Sequence, residues 1–289
     1  MNLDESEIEF REITDGDIPA VAGLLSRGFP KRNRGFWANA LEHLRRHQPP
    51  AGYPRLGYLI EQHGSKVGVV LTIYANVRSG GVLTTRCNPC AWYVEEPFRA
   101  YAGLLLARAM SRRNVTYLNV SPAPHTRQTI EALGFSRYCA GKFMAVPVLN
   151  RRPGRDEVKV VTTPHRPTHD FDRFDQELLE EHAGCGCISL WCETADRAYP
   201  FVFRPRRIKG FIPAAQLLYC RAIEEFVQFA GPIGRFLAWR GRFLVILDAD
   251  SSVPGLTGLF RTDTPKYFRG PQPPRLGDLA YTEFAVLGV

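Results

Sequence analysis

Residues 90–113 read CAWYVEEPFRAYAGLLLARAMSRR, and the fold turns on how this stretch is built. Trp92, Tyr93 and Val94 make an apolar strand end, and Glu95, Glu96 and Pro97 a short polar turn. From near Arg99 the spacing predicts a helix with Leu104, Leu105 and Met110 on its buried side. A strand that feeds a turn and then a helix aims several unpaired backbone N–H groups, and the positive end of the helix dipole, at one point. Phosphate or diphosphate suits such a point. An ordinary amphipathic helix after a strand accounts for the same residues equally well.

Upstream, EIEFREI over Glu7 to Ile13 alternates charged and apolar residues as a half-buried strand does. Thr14, Asp15 and Asp17 supply a cap and first-turn acids for a helix whose apolar face is Ile18, Val21, Leu24 and Leu25, ended by Gly28. After Pro30 a second helix is expected from about Arg34 to His47, with Phe36, Trp37, Ala40, Leu41 and Leu44 on one face. Leu56 to Glu61 and Val67 to Tyr74 are strands, and Val82 to Val94 is a third, bent or bulged at Asn88-Pro89. Downstream, Val115 to Val120 returns as a buried strand beside it, a parallel pairing across the helix. A short helix then closes on Gly134 and Phe135.

This order, with Val94, Pro97, Arg99 and the run Leu104 to Leu106, resembles the acyl-CoA N-acyltransferase (GNAT) superfamily, whose fourth strand leads into an R/Q-x-x-G-x-G/A loop around the CoA diphosphate. Glu131, Leu133, Gly134 and Phe135 match the family's later Y-x-x-x-G-F ending. There are departures. Ala102 and Leu104 stand where the family has glycines, with Gly103 between them; Ile130 stands where it often has a thiolate-protonating tyrosine, and Ala123 where it often has asparagine. Side-chain bulk where backbone must approach a phosphate is a cost.

From Leu149 to Asp156 the chain becomes a basic linker containing Pro and Gly, read as a domain boundary. Beyond it, strands are expected at Val158 to Val161, Cys187 to Glu193, Tyr199 to Arg207, Ala214 to Arg221 and Phe243 to Asp248, with a helix at Phe171 to Glu181. Another helix at Glu224 to Arg240 is broken at Gly231 and Pro232, and strands near Lys266 to Phe268 and Ala280 to Leu287 close the chain. EEPFRAYAGLLLARAM (95–110) and EEFVQFAGPIGRFLAW (224–239) share an acid pair, an Ala-Gly step and an apolar helix. Gln228, Gly231 and Gly234 give a second loop one residue longer than the family's. The expectation is a mixed α/β (α+β) chain of two tandem GNAT-like domains, 1–150 binding acyl-CoA and 158–289 more degenerate. Each would hold a mostly antiparallel twisted sheet with one parallel pair and flanking helices.

Composition narrows the function. With 45% hydrophobic and 23% charged residues over 289 positions, the chain has the make-up of a globular protein, and no apolar run is long enough to span a bilayer. The N-terminal MNLDESEIEF lacks the basic and apolar regions of a signal peptide, so a cytoplasmic location is expected. Seven irregularly spaced cysteines speak for reduced thiols. Cys87 and Cys90, and His182 with Cys185, Cys187 and Cys192, have ligand-like spacing, yet most fall on or beside predicted strands as small apolar residues, so no metal is expected. The +8 charge is mostly arginine, in clusters that solvated faces explain better than nucleic acid.

The resemblance implies acetyl-CoA or another acyl-CoA as co-substrate. Its pantetheine arm would run along Trp92, Tyr93, Val94 and Glu95, its diphosphate would rest on Arg99, Ala100, Tyr101, Ala102, Gly103 and Leu104, and Phe135 would pack below. The reaction implied is attack of an acceptor amine on the thioester, with Glu95 or His125 as candidate base. Lys31 to Arg34, between the first two helices, would suit an anionic acceptor. A GNAT-derived module that binds acyl-CoA or a partner without catalysis, and a basic nucleic-acid-binding protein, are the other readings. Oligomeric state is left open.

Overall fold

The computed structural model describes residues 8–79, 81–150 and 158–289. The first half follows the expected order: β1 (Ile8–Glu12), α1 (Ile18–Gly28), α2 (Arg34–Arg46), β2 (Gly57–Gln62), β3 (Ser65–Ser79), β4 (Val82–Val94), α3 (Ala102–Ala109), β5 (Val115–Asn119), α4 (Arg127–Ala132) and β6 (Ser136–Cys139). Local chemistry sets the ends. Asp17 accepts from the Thr14 N–H and hydroxyl just ahead of α1, and Asn33 caps α2 by accepting from the Phe36 N–H at 2.8 Å. α1 and α2 bury Val21, Leu24, Leu25, Trp37, Leu41 and Leu44 against one face of the sheet. α3 covers the other with Leu105 and Leu106.

The first half ends with β7 (Gly141–Ala145), and the second contains β8 (Lys159–Thr162), α5 (Arg173–Gly184), β9 (Ile188–Glu193), β10 (Ala198–Ile208), β11 (Ile212–Tyr219), α6 (Ile223–Ala238), β12 (Leu244–Ala249), β13 (Gly258–Arg261), β14 (Lys266–Arg269) and α7 (Glu283–Val286). Two seven-stranded sheets result, ordered β1-β2-β3-β4-β5-β14-β6 and β8-β9-β10-β11-β12-β7-β13. The two orders correspond strand for strand, each with one parallel pair, β4/β5 and β11/β12. This is the tandem mixed α/β architecture the sequence implies.

The sheets do not respect the division into 1–150 and 158–289. β14, from the second half, inserts between β5 and β6, and β7, from the first half, inserts between β12 and β13. Each module therefore gives its last strand to the other. The exchange is possible because only Ala140 separates β6 from β7, and that residue redirects the chain from one sheet to the other. Lys266 on β14 and Asp248 on β12, both nearly fully buried, form an ion pair at 2.8 Å that ties the sheets together. One apolar cluster likewise takes residues from both halves, from Leu41 and Leu118 to Trp191 and Phe284.

Three further expectations are corrected. α6 runs unbroken through Gly231 and Pro232. Residues 280–287 form a turn, with Tyr281 at φ 55°, and the short α7 rather than a strand, because their backbone is held by side chains of other elements. Leu104 is 60% exposed, since α3 turns it away from the sheet while Leu105, Leu106 and Met110 face inward. The expected linker lies largely in 151–156, outside the described residues.

Candidate active site

β4 and β5 are paired only at Thr85↔Val115, Arg86↔Thr116 and Cys87↔Tyr117, and then part. Two features of β4 force this. Pro89 offers no N–H to a neighbour, and a bulge follows, in which Ala91 adopts φ 48° and the register with β3 slips between Leu71↔Cys90 and Val69↔Tyr93. Asn88 sits at the crotch of the fork: its Nδ2 donates to the Leu118 carbonyl at 3.0 Å, and its Oδ1 accepts the Glu283 N–H at 2.7 Å. The fork thus opens at Asn88; Val94, at the end of β4, has a buried side chain and a backbone paired with Gly68 on β3.

A cavity of about 480 Å³ fills the fork. Its walls come from both faces of the sheet, which places it across the sheet rather than on one side. Leu106, Met110, Ile130 and Phe135 belong to the apolar cluster under α3 and α4. Trp37, Cys90 and Leu118 belong to the cluster on the opposite face, where Phe29 and the cationic Lys31 and Arg32 also border the space. The strands supply Pro89 to Trp92 on one side and Leu118, Asn119 and Ser121 to Ala123 on the other. Two polar groups here lack partners among the described residues: the buried indole N–H groups of Trp37 and Trp92, both wall residues. A buried unpaired donor costs about 1–3 kcal/mol.

Glu283 is the one Asp or Glu of this wall among the described residues. It reaches the fork from the far end of the chain, is 8% exposed, and accepts the Ser121 hydroxyl at 2.6 Å. Burial pushes its carboxyl up to about 7, against the Ser121 hydrogen bond and the Arg206 charge, which favour the ionised form. Burial likewise pushes the Cys90 thiol well up.

Of the residues singled out from the sequence, Trp92 and Phe135 border the cavity. Tyr93 packs instead on Phe29 and Gly28, where a Cβ would sit 2.3 Å from its ring. Arg99, Ala100 and Tyr101 lie in a 3-10 turn that passes directly into Ala102, Gly103 and Leu104 of α3, beside the cavity but not in its wall. Glu95 is outside the wall and accepts from Arg27 at 2.6 Å and 3.1 Å. His125 is exposed on the turn Pro124–Thr126. Asn88 was marked in the sequence only as part of a bend, and Ser121 and Glu283 not at all. Glu283 meets Ser121 across 162 positions and Asn88 across 195, and no local pattern encodes that.

The second fork is filled. β11 and β12 pair at Ala214↔Leu244, Ala215↔Val245 and Gln216↔Ile246, and beyond that the chain's own residues 277–279 run along β11. Cys220 donates to the Gly277 carbonyl at 3.0 Å and Leu279 to the Leu218 carbonyl at 2.7 Å. Gln228, Gly231 and Gly234 are mid-helix in α6, so they form no loop. The two glycines admit the backbone of 147–150: a Cβ on Gly231 would lie 2.6 Å from the Asn150 oxygen, and one on Gly234 2.4 Å from the Val148 nitrogen. Glu224 and Glu225 occupy the first turn of α6, where they disfavour a second anion.

Cys87, Cys139, Cys192 and Cys220 are buried thiols, and among the described residues no group of three or more His, Cys, Asp or Glu is placed to hold a metal ion. Both ring nitrogens of His182 are engaged, Nδ1 with the Leu178 carbonyl and Nε2 with the Tyr281 N–H. No helix among the described residues is long and apolar enough to cross a membrane.

No protein-family model matches the sequence, and no curated protein matches it. Solved structures do match it, over nearly the whole chain. A protein of Pyrococcus horikoshii assigned to the acetyltransferases is 15% identical, covers 97% of this chain and 94% of its own, and superposes with a TM-score of 0.59. A GCN5-related N-acetyltransferase from Anabaena variabilis is 10% identical over 91% of this chain and 72% of its own, with a TM-score of 0.59. Another, from Kribbella flavida, is 12% identical over 91% and 71%, with a TM-score of 0.54. At these identities the likeness is one of fold.

Proposed function

From the premise that the chain carries two GNAT-type modules, we propose that the open fork of the first is the site of an acyl-CoA-dependent N-acyltransferase, moving an acetyl or other acyl group from CoA to an amine. The observation that carries this reading is the cavity that crosses the sheet where β4 and β5 part. A thioester can enter from the α3 side and an amine from the α1–α2 side, so the two meet between the strands. The walls sort accordingly, apolar under α3 and cationic at Lys31 and Arg32. That second side suits an amine that also carries negative charge.

The backbone of 89–92, freed from β5 by the bulge, would pair with the pantetheine amides, and Arg99 to Leu104 would face the diphosphate. Exposed Leu104 and the open space around Gly103 leave that turn accessible. Ile130 gives no proton to the leaving sulfur, so CoA would leave as thiolate, a tolerable leaving group near neutral pH. A second reading, a module that binds acyl-CoA without turning it over, is favoured by that same Ile130.

Titration calorimetry with acetyl-CoA tests the binding. One site per chain, abolished by Ala123→Trp in the wall of the first fork, is expected. No binding, or binding that survives the block, counts against the proposal. Release of CoA thiol in the presence of a panel of primary amines separates the enzyme from the inert binder.

A further inference from the structure

We infer that Glu283, brought into the first fork by the far end of the chain, takes the proton from the attacking amine; the inference rests on the acyl-transfer reading above. Three hydrogen bonds fix the carboxyl where the strands separate. Oε1 accepts from Ser121, just beyond β5; the Glu283 N–H donates to Asn88 on β4; and Asn88 in turn donates to Leu118 on β5. Glu283 is thereby clamped to both arms of the fork.

The strap that carries it is anchored independently. Arg86 bonds Asp278 at 3.0 Å and the Ala280 carbonyl at 2.8 Å, the Tyr281 N–H donates to His182 at 3.1 Å, and the Thr282 hydroxyl donates to the Leu279 carbonyl at 2.7 Å. So much fixation delivers a carboxyl that makes no ion pair among the described residues, into a cavity wall where it is the one Asp or Glu side chain among the described residues. The charged and titratable side chains around it, among the described residues, are Cys90 on β4, Arg206 on β10, and Lys31 and Arg32 on the loop after α1, and Val289 borders the same wall. With its titration moved to about 7, the group is ionised often enough to accept a proton at neutral pH and is basic enough to hold one. Glu95, paired with Arg27, and exposed His125 have neither the position nor the burial.

In the step, the amine lone pair attacks the thioester carbonyl carbon. The new N–C bond forms as the C–S bond breaks, CoA departs as thiolate, and the proton lost by nitrogen goes to the Glu283 carboxylate and then to water.

Glu283→Gln keeps the size of the side chain and can still accept from Ser121. The experiment follows CoA release from acetyl-CoA, with amines and with water as acceptor, over pH 5 to 9, in wild type and in both Glu283→Gln and Ser121→Ala. Calorimetry on the same samples reports acetyl-CoA affinity. The expected result is that E283Q binds acetyl-CoA within about twofold of wild type, releases CoA about 10²-fold or more slowly, and loses the rise in rate near pH 7. Ser121→Ala should move that rise to higher pH, because the lost hydrogen bond favoured the ionised form. A residue that only anchors the strap would leave the pH profile in place in E283Q. Retention of that profile, or a rate within threefold of wild type, overturns the inference, and so does a wild type that binds acetyl-CoA yet releases no CoA to any amine or to water. Failure of the wild type to bind acetyl-CoA is a different outcome, which overturns the acyl-transfer reading itself.

Discussion

The two forks show how one architecture is spent in two ways. Both modules pair two parallel strands for three residues and then let them part. In the first, a bulge at Ala91 and the missing N–H of Pro89 leave space that the protein lines with aromatic rings, the cations Lys31 and Arg32, and the carboxyl of Glu283. In the second, residues 277–279 bond to β11, and the helix that follows turns its glycines to the segment 147–150. The same strap plugs one fork and equips the other: Asp278 lies on β11, and five residues later Glu283 stands in the open cleft. A GNAT-like sequence pattern is therefore evidence of fold before it is evidence of a site.

The largest effect is expected at the hinge between the two uses. Asp278→Ala leaves Arg86, 4% exposed, without its ion-pair partner. Denaturant unfolding should show a loss of about 3–5 kcal/mol, the usual consequence of stranding a buried charge. A loss under about 1 kcal/mol would mean that the plug is not held from this point. Next is the acid of the open fork. Its titration lies at about 7 rather than 4.5, so its protonated form is favoured in the folded chain. Wild type should accordingly lose stability as pH climbs through that interval and then level off. E283Q, which does not titrate, should be the more stable protein at pH 8 by up to ~3 kcal/mol, and thermal melts at pH 5 and pH 8 check the sign.

The two equivalent helices give a matched pair of smaller effects. Gly234→Ala in α6 drives a Cβ into the Val148 backbone and should cost about 1–3 kcal/mol, whereas Gly103→Ala in α3 meets nothing within 4 Å and should gain up to ~1 kcal/mol. If Gly234→Ala proved neutral, the close packing that separates α6 from α3 would be in doubt. Gly103→Ala also sharpens the comparison at the level of binding, since a weakened acetyl-CoA affinity in a stabilised protein would mark the start of α3 as part of the site.

Much of the fold was legible because it is local. Strand, turn and helix at residues 90–113, the two helices after β1, and the echo of 95–110 in 224–239 are patterns within one element or between neighbours. What could not be read is what depends on distant partners. β7 and β14 are short segments, and nothing in GKFMA or KYFR says which sheet takes them. Residues 280–287 are apolar enough to pass for a strand, yet their N–H groups at 281 and 283 go to His182 and Asn88. The site was half legible for the same reason: Trp92 and Phe135 sit on elements with a recognisable sequence, whereas Glu283 acquires its position from contacts with Ser121 and Asn88.

The traded strands β7 and β14 bear on ancestry. A gene for one module alone would encode a sheet with a gap beside its fifth strand and a loose terminal strand with no seat of its own. Two such products could complete each other only as a symmetric pair, each arm reaching into the other. Joining two such copies head to tail would preserve that embrace in a single polypeptide and would leave the copies free to diverge, one keeping an open fork and the other surrendering its own to the chain.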